Sequence, residues 1–465
     1  MKTNFRHLLL AIFMIFAACE QDELIVPEQQ PEQSKQQLVN PDFPMLQYSS
    51  RDAFYAALES GVESTRSTTS NSFISLLDEI PVSLRSASND DEEMSYYELN
   101  GYDELVPNKD FAKLLNPNGE IMVNDTIYLI NRNGTYYFPK EKEEEFRNIY
   151  AMDSIGTEVS EDLYELADNI YRFDTFKELK DLIEIDLDSL DFETNEVETR
   201  SSNNEPNYAS FPSYKADRHT WLGKLRQGLF GNDKWYSVEI KNISKKRKVR
   251  GRLYAYHYAF YSEAGITGQV KKKNWIGWSK EPAQEIRVGW RPVVLTVKIP
   301  ELARIQRPVI QQPVLTNVLA EPFPHKTARV EWVHVLLPTD LLTDQQVNQY
   351  TQQAIQMAFS HVRSKHNSVT EVKCKNIVMA GPSTIYHVMP DDFIIAYNAK
   401  EINKVFTSNY NIHFSADLLN LPSSIIGWAK TLTGSLKQEY PKLHSGEAII
   451  CGKEQNKWAG MRIVK

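Results

Sequence analysis

The chain has 3 cysteines in 465 residues, too few to staple a protein of this size, so a disulfide scaffold is excluded. There is no CxxC pair and no Cys/His cluster at metal-ligand spacing, and no motif calls for a cofactor. His334, His361, His366, His387, His413 and His444 are scattered, with no HExxH to put two imidazoles on one helical face. A GxSxG elbow, a P-loop and a GxGxxG turn are also missing, which removes the common nucleophilic and nucleotide-binding signatures. Asp391-Asp392, near His387, comes closest to an acid/base group, but a plain turn after Pro390 accounts for it. Glycosidase carboxylate pairs have no spacing signature, so that chemistry stays open. No apolar run reaches the roughly 20 residues of a membrane-spanning helix. Tryptophan is absent from the first 204 residues, and all 8 lie at or after Trp221.

What is present begins at the N-terminus. Basic Lys2 and Arg6 precede an apolar run from Leu8 to Ala18, and Phe16-Ala17-Ala18-Cys19 supplies small residues before a cysteine. That is the outline of a bacterial lipoprotein signal over residues 1–18, with Cys19 as the lipidated residue. Acyl chains on Cys19 would hold the protein to a membrane at about 0.8 kcal/mol per buried methylene. The Glu20-Gln21-Asp22-Glu23 string resembles the export signal of Bacteroidetes lipoproteins, implying the outer membrane and the cell surface, with the periplasmic face as the alternative. Residues 19–41, rich in Gln, Glu and Pro, read as a flexible tether.

Charge divides the remainder. Residues 1–204 carry 16 basic and 41 acidic side chains, residues 205–324 carry 21 and 9, and residues 325–465 carry 15 and 11. With the polar stretch Thr199–Pro206 this predicts an acidic, mostly helical segment over 42–204, a basic β-rich domain over 205–324 and an α+β domain over 325–465. Cys374 and Cys451 both sit in strand-like surroundings, where a bridge and two buried thiols are equally consistent with the sequence.

Within 42–204, Ser50–Gly61 predicts a helix with Phe54, Ala57 and Leu58 on one side, and Phe111, Leu114 and Leu115 a short one. Glu120–Ile130, the turn Asn131–Gly134 and Thr135–Phe138 predict a hairpin near 120–138, followed by a charged helix after Pro139. Leu163, Leu166, Ile170 and Phe173 have helical spacing. Asp186, Asp188 and Asp191 lack the glycine and glutamate of a calcium loop. The strings Leu114–Ile121, Asp125–Tyr128 and Gly134–Tyr136 resemble a block of uncharacterised lipoproteins from gut Bacteroidetes, and Arg247–Tyr261 and Gln284–Pro292 resemble further parts of it. That family implies relatives without implying a mechanism.

Alternation in Trp235–Ile243, Lys248–Ser262 and Val293–Ile299 predicts an antiparallel sandwich or small barrel. Tyr254, Tyr256, Tyr258 and Phe260 share one face there, as sheet core or as a platform for sugar rings. Trp275 and Trp278, beside Lys271, Lys272 and Lys273, form the best candidate for an exposed ligand contact. The run Lys245–Lys248 with Arg250 and Arg252 can meet the acidic segment of its own chain, water or an anionic surface ligand. Nucleic acid is the wrong partner for an exported chain. Residues 325–465 predict a strand Ala328–Leu337, a helix Gln345–Lys365 capped by Asp340 or Asp344, three further strands, a second helix over 416–436 and a closing hairpin. The expectation is an α+β, multidomain, lipid-anchored envelope protein that binds glycan, envelope component or protein without catalysis; the alternative is an envelope hydrolase of polysaccharide or peptide.

Overall fold

The computed structural model describes residues 43–60, 73–78, 95–152, 156–160, 163–173, 205–215, 236–240, 246–273, 278–298, 314–320, 326–340, 342–407 and 442–465. Met45–Lys465 form one compact unit, distinct from Met1–Pro44. The fold is α+β and mostly β, with three sheets and few helices.

The early helices are short: α1 (Arg51–Ser60), α2 (Tyr96–Leu99), α3 (Tyr102–Leu105) and α4 (Lys109–Ala112). The Ser50 hydroxyl caps α1 by accepting from the Ala53 amide at 3.2 Å, and Phe54, Ala57 and Leu58 are buried as their spacing predicts. The first sheet contains β1 (Gln47–Tyr48), β2 (Glu120–Val123), β3 (Thr126–Asn131), β4 (Gly134–Pro139), β5 (Thr157–Ser160), β6 (Leu163–Ala167) and β7 (Ile170–Phe173), in the order β1-β2-β3-β4-β7-β6-β5. Helix α5 (Glu143–Ala151) follows β4.

Two local expectations change here. The strand expected over 120–130 is two strands, because Asn124 and Asp125 take φ of 53° and 58° and reverse the chain. Two consecutive positive φ angles are what a two-residue hairpin turn requires, and Asn and Asp tolerate them. Leu163–Phe173 is a hairpin, not a helix: β6 and β7 pair, with Asn169 at φ 62° in the turn. Short apolar runs fit both periods, and pairing with β4 decides this one.

The other strands are β8 (Ser213–Lys215), β9 (Tyr236–Glu239), β10 (Arg247–His257), β11 (Ser262–Lys273), β12 (Trp278–Lys280), β13 (Ala283–Lys298), β14 (Val314–Ala320), β15 (Thr327–Leu336), β16 (Glu371–Ala380), β17 (Thr384–Met389), β18 (Asp392–Ala399), β19 (Glu401–Thr407), β20 (Lys442–Glu454) and β21 (Lys457–Val464). Strands β9 to β12 with β19 form a five-stranded sheet. The others form a nine-stranded sheet, β14-β15-β16-β17-β13-β20-β21-β8, with β18 on β13. Residues of both sheets share one apolar core, Val249, Leu253 and Ile266 from one side meeting Val288, Ile450 and Met461 from the other. The sandwich expected of the middle region is therefore present, and its second layer takes most of its strands from residues after 325.

Gly251 and Gly268 face each other in register on β10 and β11 and form a notch for the opposite sheet. A Cβ on Gly251 would stand 2.7 Å from Ile450 Cδ1, and one on Gly268 would stand 2.7 Å from Val288 Cγ2. Glycine here sets the spacing between the layers.

The expected strand Lys248–Ser262 turns before its end. Ala259 adopts φ 62° and the Tyr258 amide donates to the Tyr261 carbonyl at 2.7 Å, so β11 starts back at Ser262. Tyr254, Tyr256, Tyr258 and Phe260 are all buried, packed with Phe54 and Phe111 of the helical segment. They are core, as one of the two readings had it.

Helix α6 (Asp344–Lys365) crosses from β15 to the parallel β16 and buries Val347, Ala354, Ala358 and Val362 on the outer side of the large sheet. Its cap is Thr343, in a reciprocal capping box with Gln346, rather than Asp340 or Asp344. Asp340 instead accepts from the Ser383 and Thr384 amides and from the Ser383 hydroxyl. The helix expected over 416–436 lies outside the described residues, as do Asp186, Asp188 and Asp191.

Cys374 on β16 and Cys451 on β20 are separate thiols. Strands β17 and β13 lie between them, a separation of three strand spacings, about 14 Å, against the roughly 7 Å that a disulfide spans between Cα atoms.

Candidate functional site

The aromatic and basic residues singled out in the sequence lie only partly within the described residues. Trp275 lies outside the described residues, as does Cys19. Trp278 lies beneath the Lys248 ammonium, 4.2 Å from the ring centre. Lys272 pairs with Glu281 at 3.0 Å. Lys271 is pushed down to about 8, by burial first and by neighbouring Arg250 second. Lys273 is exposed at the end of β11.

Arg247, Lys248, Arg250 and Arg252 of the basic run find partners inside the chain. Arg250 pairs with Glu104 at 3.0 Å; Arg252, fully buried, donates to the Glu104 carbonyl at 3.1 Å and to the Tyr256 hydroxyl at 2.6 Å. Arg247 reaches Glu454 at 3.2 Å. The strongest node is Lys280, with Asp103 at 2.6 Å, Glu401 at 2.9 Å and Glu98 at 3.1 Å. Burial opposes the charge on this ammonium, but the three carboxylates outweigh it and hold Lys280 well above the ordinary range. The acidic helices α2 and α3 are thus bound to the basic strands, in line with the first of the three readings of the run.

The described residues do contain a cleft of about 600 Å³ that no motif in the sequence points to. It forms because the small sheet ends at β19 on this side while the large sheet continues through β15 and β16. Trp332 and Asn376, a registered pair on β15 and β16, belong to one wall, Asn403 to Phe406 of β19 to another, and Glu59, Lys109 and Asp110 to the helical rim. No spacing in the sequence joins these residues, since each strand contributes only two to five of them.

Buried polar groups fix the wall behind Trp332. His387 lies 5.3 Å and His334 6.2 Å from the Trp332 ring, centre to centre. Burial lowers His387 to about 3 and His334 to about 4, so both imidazoles are neutral at ordinary pH. The Asn376 amide donates from Nδ2 to the Glu331 carbonyl at 3.2 Å, which leaves Oδ1 to accept from His387 Nε2 at 3.0 Å. Asn403 ties β19 to the helical segment: its Nδ2 donates to the Pro107 carbonyl, and its Oδ1 accepts from Thr267 at 3.1 Å and Tyr254 at 3.3 Å.

Lysine pairs with three of the cleft carboxylates. Glu331 pairs with Lys375 at 2.7 Å, Asp110 with Lys113 at 2.8 Å, and Glu401 with Lys109 at 2.7 Å as well as with Lys280. Burial opposes the charge on Glu401, yet Lys280 and Lys109 bring it down to about 2. A carboxylate held ionised in this way cannot serve as a general acid near neutrality. The acid that burial raises to about 7, Glu263, is enclosed behind the cleft, where it accepts from the Tyr261 hydroxyl at 2.9 Å. Asp392 accepts from its own neighbour's amide, Phe393 N, at 2.9 Å, in keeping with a turn after Pro390. Among the described residues no three His, Cys, Asp or Glu side chains gather as a metal site, and no helix is long and apolar enough to cross a membrane.

Comparison of the chain with protein-family models, with curated proteins and with solved structures returned no match.

Proposed function

We propose that this chain is a lipid-anchored binding module of the cell envelope, without catalytic activity, that takes a segment of glycan into the cleft between β15, β16 and β19. The observation that carries the reading is the pairing of Glu331 with Lys375 and of Glu401 with Lys109 and Lys280, which fixes hydrogen-bonding groups beside the Trp332 and Phe406 rings. Sugars are recognised by such a mixture of aromatic surface and fixed donors and acceptors. The N-terminal signal, Cys19 and the resemblance to gut Bacteroidetes lipoproteins support an outer-membrane, surface-exposed location. The internal pairing of Arg250, Arg252 and Lys280 argues against nucleic acid as partner.

Titration of the detergent-solubilised full chain against a glycan panel tests the cleft. Lys375→Ala and Trp332→Ala should each weaken the selected glycan at least about tenfold, the loss of roughly 1.4 kcal/mol. Unchanged affinity in both variants would remove the cleft from the proposal. Release of sugar or peptide fragments that stops in Glu331→Gln would replace it with the hydrolase alternative. Protease shaving of cells carrying wild type or Asp22→Ala/Glu23→Ala decides between outward and periplasmic display.

A further inference from the structure

Six large apolar side chains are exposed among the described residues, and three of them stand on one strand: Phe393, Ile395 and Tyr397 of β18, at 54%, 37% and 67%. They alternate with Ile394 and Ala396, which pack on the sandwich core. One face of β18 is therefore covered and the other presents a continuous apolar stripe. Among the described residues β18 is hydrogen-bonded to β13 alone, so its second edge has no strand beside it there. Natural edge strands are usually guarded by lysine, proline or an inward charge. Between Phe393 and Ala399 there is none of these; the charges stand at the ends, with Asp391 and Asp392 before the stripe and Lys400 after it, all exposed.

We propose that this edge joins a second copy of the chain, the two β18 strands pairing antiparallel about a two-fold axis at Ile395. Side chains directly opposite each other in an antiparallel pair share a face. Centring the axis on Ile395 then sets Ile395 against its own counterpart and Phe393 of each copy against Tyr397 of the other. The stripe continues across the junction, complementary to itself, as an isologous contact requires. The same register brings Asp391 and Asp392 of each copy toward Lys400 of the other. A slip by one residue would oppose Phe393 to Asn398 and turn one stripe to the wrong face. A junction of one strand per copy is small, so the dimer is reversible and depends on concentration. It does not depend on what the cleft binds.

Sedimentation of the detergent-solubilised full chain over a range of concentrations should show a monomer–dimer equilibrium. Ile395→Lys, which opposes two like charges, should weaken the dimer at least about tenfold while leaving the melting temperature unchanged, because the side chain is exposed. Cysteine scanning reads the register. Ile395→Cys should cross-link to itself on mild oxidation, since opposed Cβ atoms stand about 5 Å apart. Phe393→Cys should not, its two copies being four residues apart along the strands, about 13 Å, whereas Phe393→Cys mixed with Tyr397→Cys should. Wild type gives the background from the native thiols. A chain that is monomeric at every concentration overturns the proposal, as does Ile395→Cys cross-linking no better than Phe393→Cys or an unchanged dimer in Ile395→Lys.

Discussion

Strand β10 is buried on both faces, by different chemistry on each. Val249, Gly251, Leu253 and Ala255 face the large sheet and meet it by shape, the glycine leaving space for Ile450. Arg250, Arg252, Tyr254 and Tyr256 face the helical segment, with guanidinium groups bound to Glu104, and Tyr258 just past the strand packs its ring on Phe111. The first face depends on the fit of apolar volumes, where small errors in size are felt. The second depends on each buried polar group having its partner, where the removal of one partner costs more than the pair contributes.

The largest expected effect comes from breaking the polar side. Lys280→Met leaves Glu98, Asp103 and Glu401 without their shared cation and should lower the free energy of unfolding by about 3–5 kcal/mol in urea titration. A loss below about 1 kcal/mol would mean that this junction is held by its aromatic rings alone.

Acidification comes next. His257, His334 and His387 are held near 3, 4 and 3 by burial, so below the ordinary histidine range they take up protons only on unfolding. Their contribution is complete above about pH 6.5 and is lost as pH falls toward their folded values. Glu263, raised to about 7, works in the opposite direction: it is protonated when folded and ionised when unfolded between about pH 4.5 and 7, so its contribution declines as pH rises through that window. Three protons against one leave a net slope, and stability should fall by about 2–3 kcal/mol per pH unit below pH 6.5. Glu263→Gln should steepen that slope and His387→Gln should flatten it; melting curves at pH 6.5 and 5.5 measure both.

On the apolar side, Gly268→Val inserts methyl groups where a Cβ alone would stand 2.8 Å from Ile450 Cγ2. A loss of about 1–3 kcal/mol is expected, and pairing the variant with Ile450→Ala should restore part of it if interlayer fit is the cause. The smallest effect on stability belongs to Lys375→Ala. Its ion pair with Glu331 is exposed, so thermal melting should change by less than about 1 kcal/mol, even though the same substitution is the sharpest probe of glycan binding.

Much of the local structure was legible. Ser50 and the spacing of Phe54, Ala57 and Leu58 placed α1, and alternation placed β10, β15 and the closing hairpin of β20 and β21. The errors lay where backbone angles decide, at Asn124-Asp125 and at Ala259, or where a short apolar pattern fits two periods, as at Leu163–Phe173. The candidate site was hardly legible at all. Trp332, Asn376 and Asn403 have ordinary strand neighbours, and Trp278, which stood out in the sequence, lies beneath Lys248 instead.

By itself the sequence determined the division of charge at about residue 204 and the periodicity of individual strands, because each is a property of neighbouring residues. Tertiary structure decided which sheet each strand joins, that the acidic helices neutralise the basic strands, and that β19 ends the small sheet early enough to leave a cleft. Those outcomes depend on pairing between residues as far apart as Asp103 and Lys280, or Gly268 and Ile402. Such pairing is set by the shape of whole layers and carries no local signal.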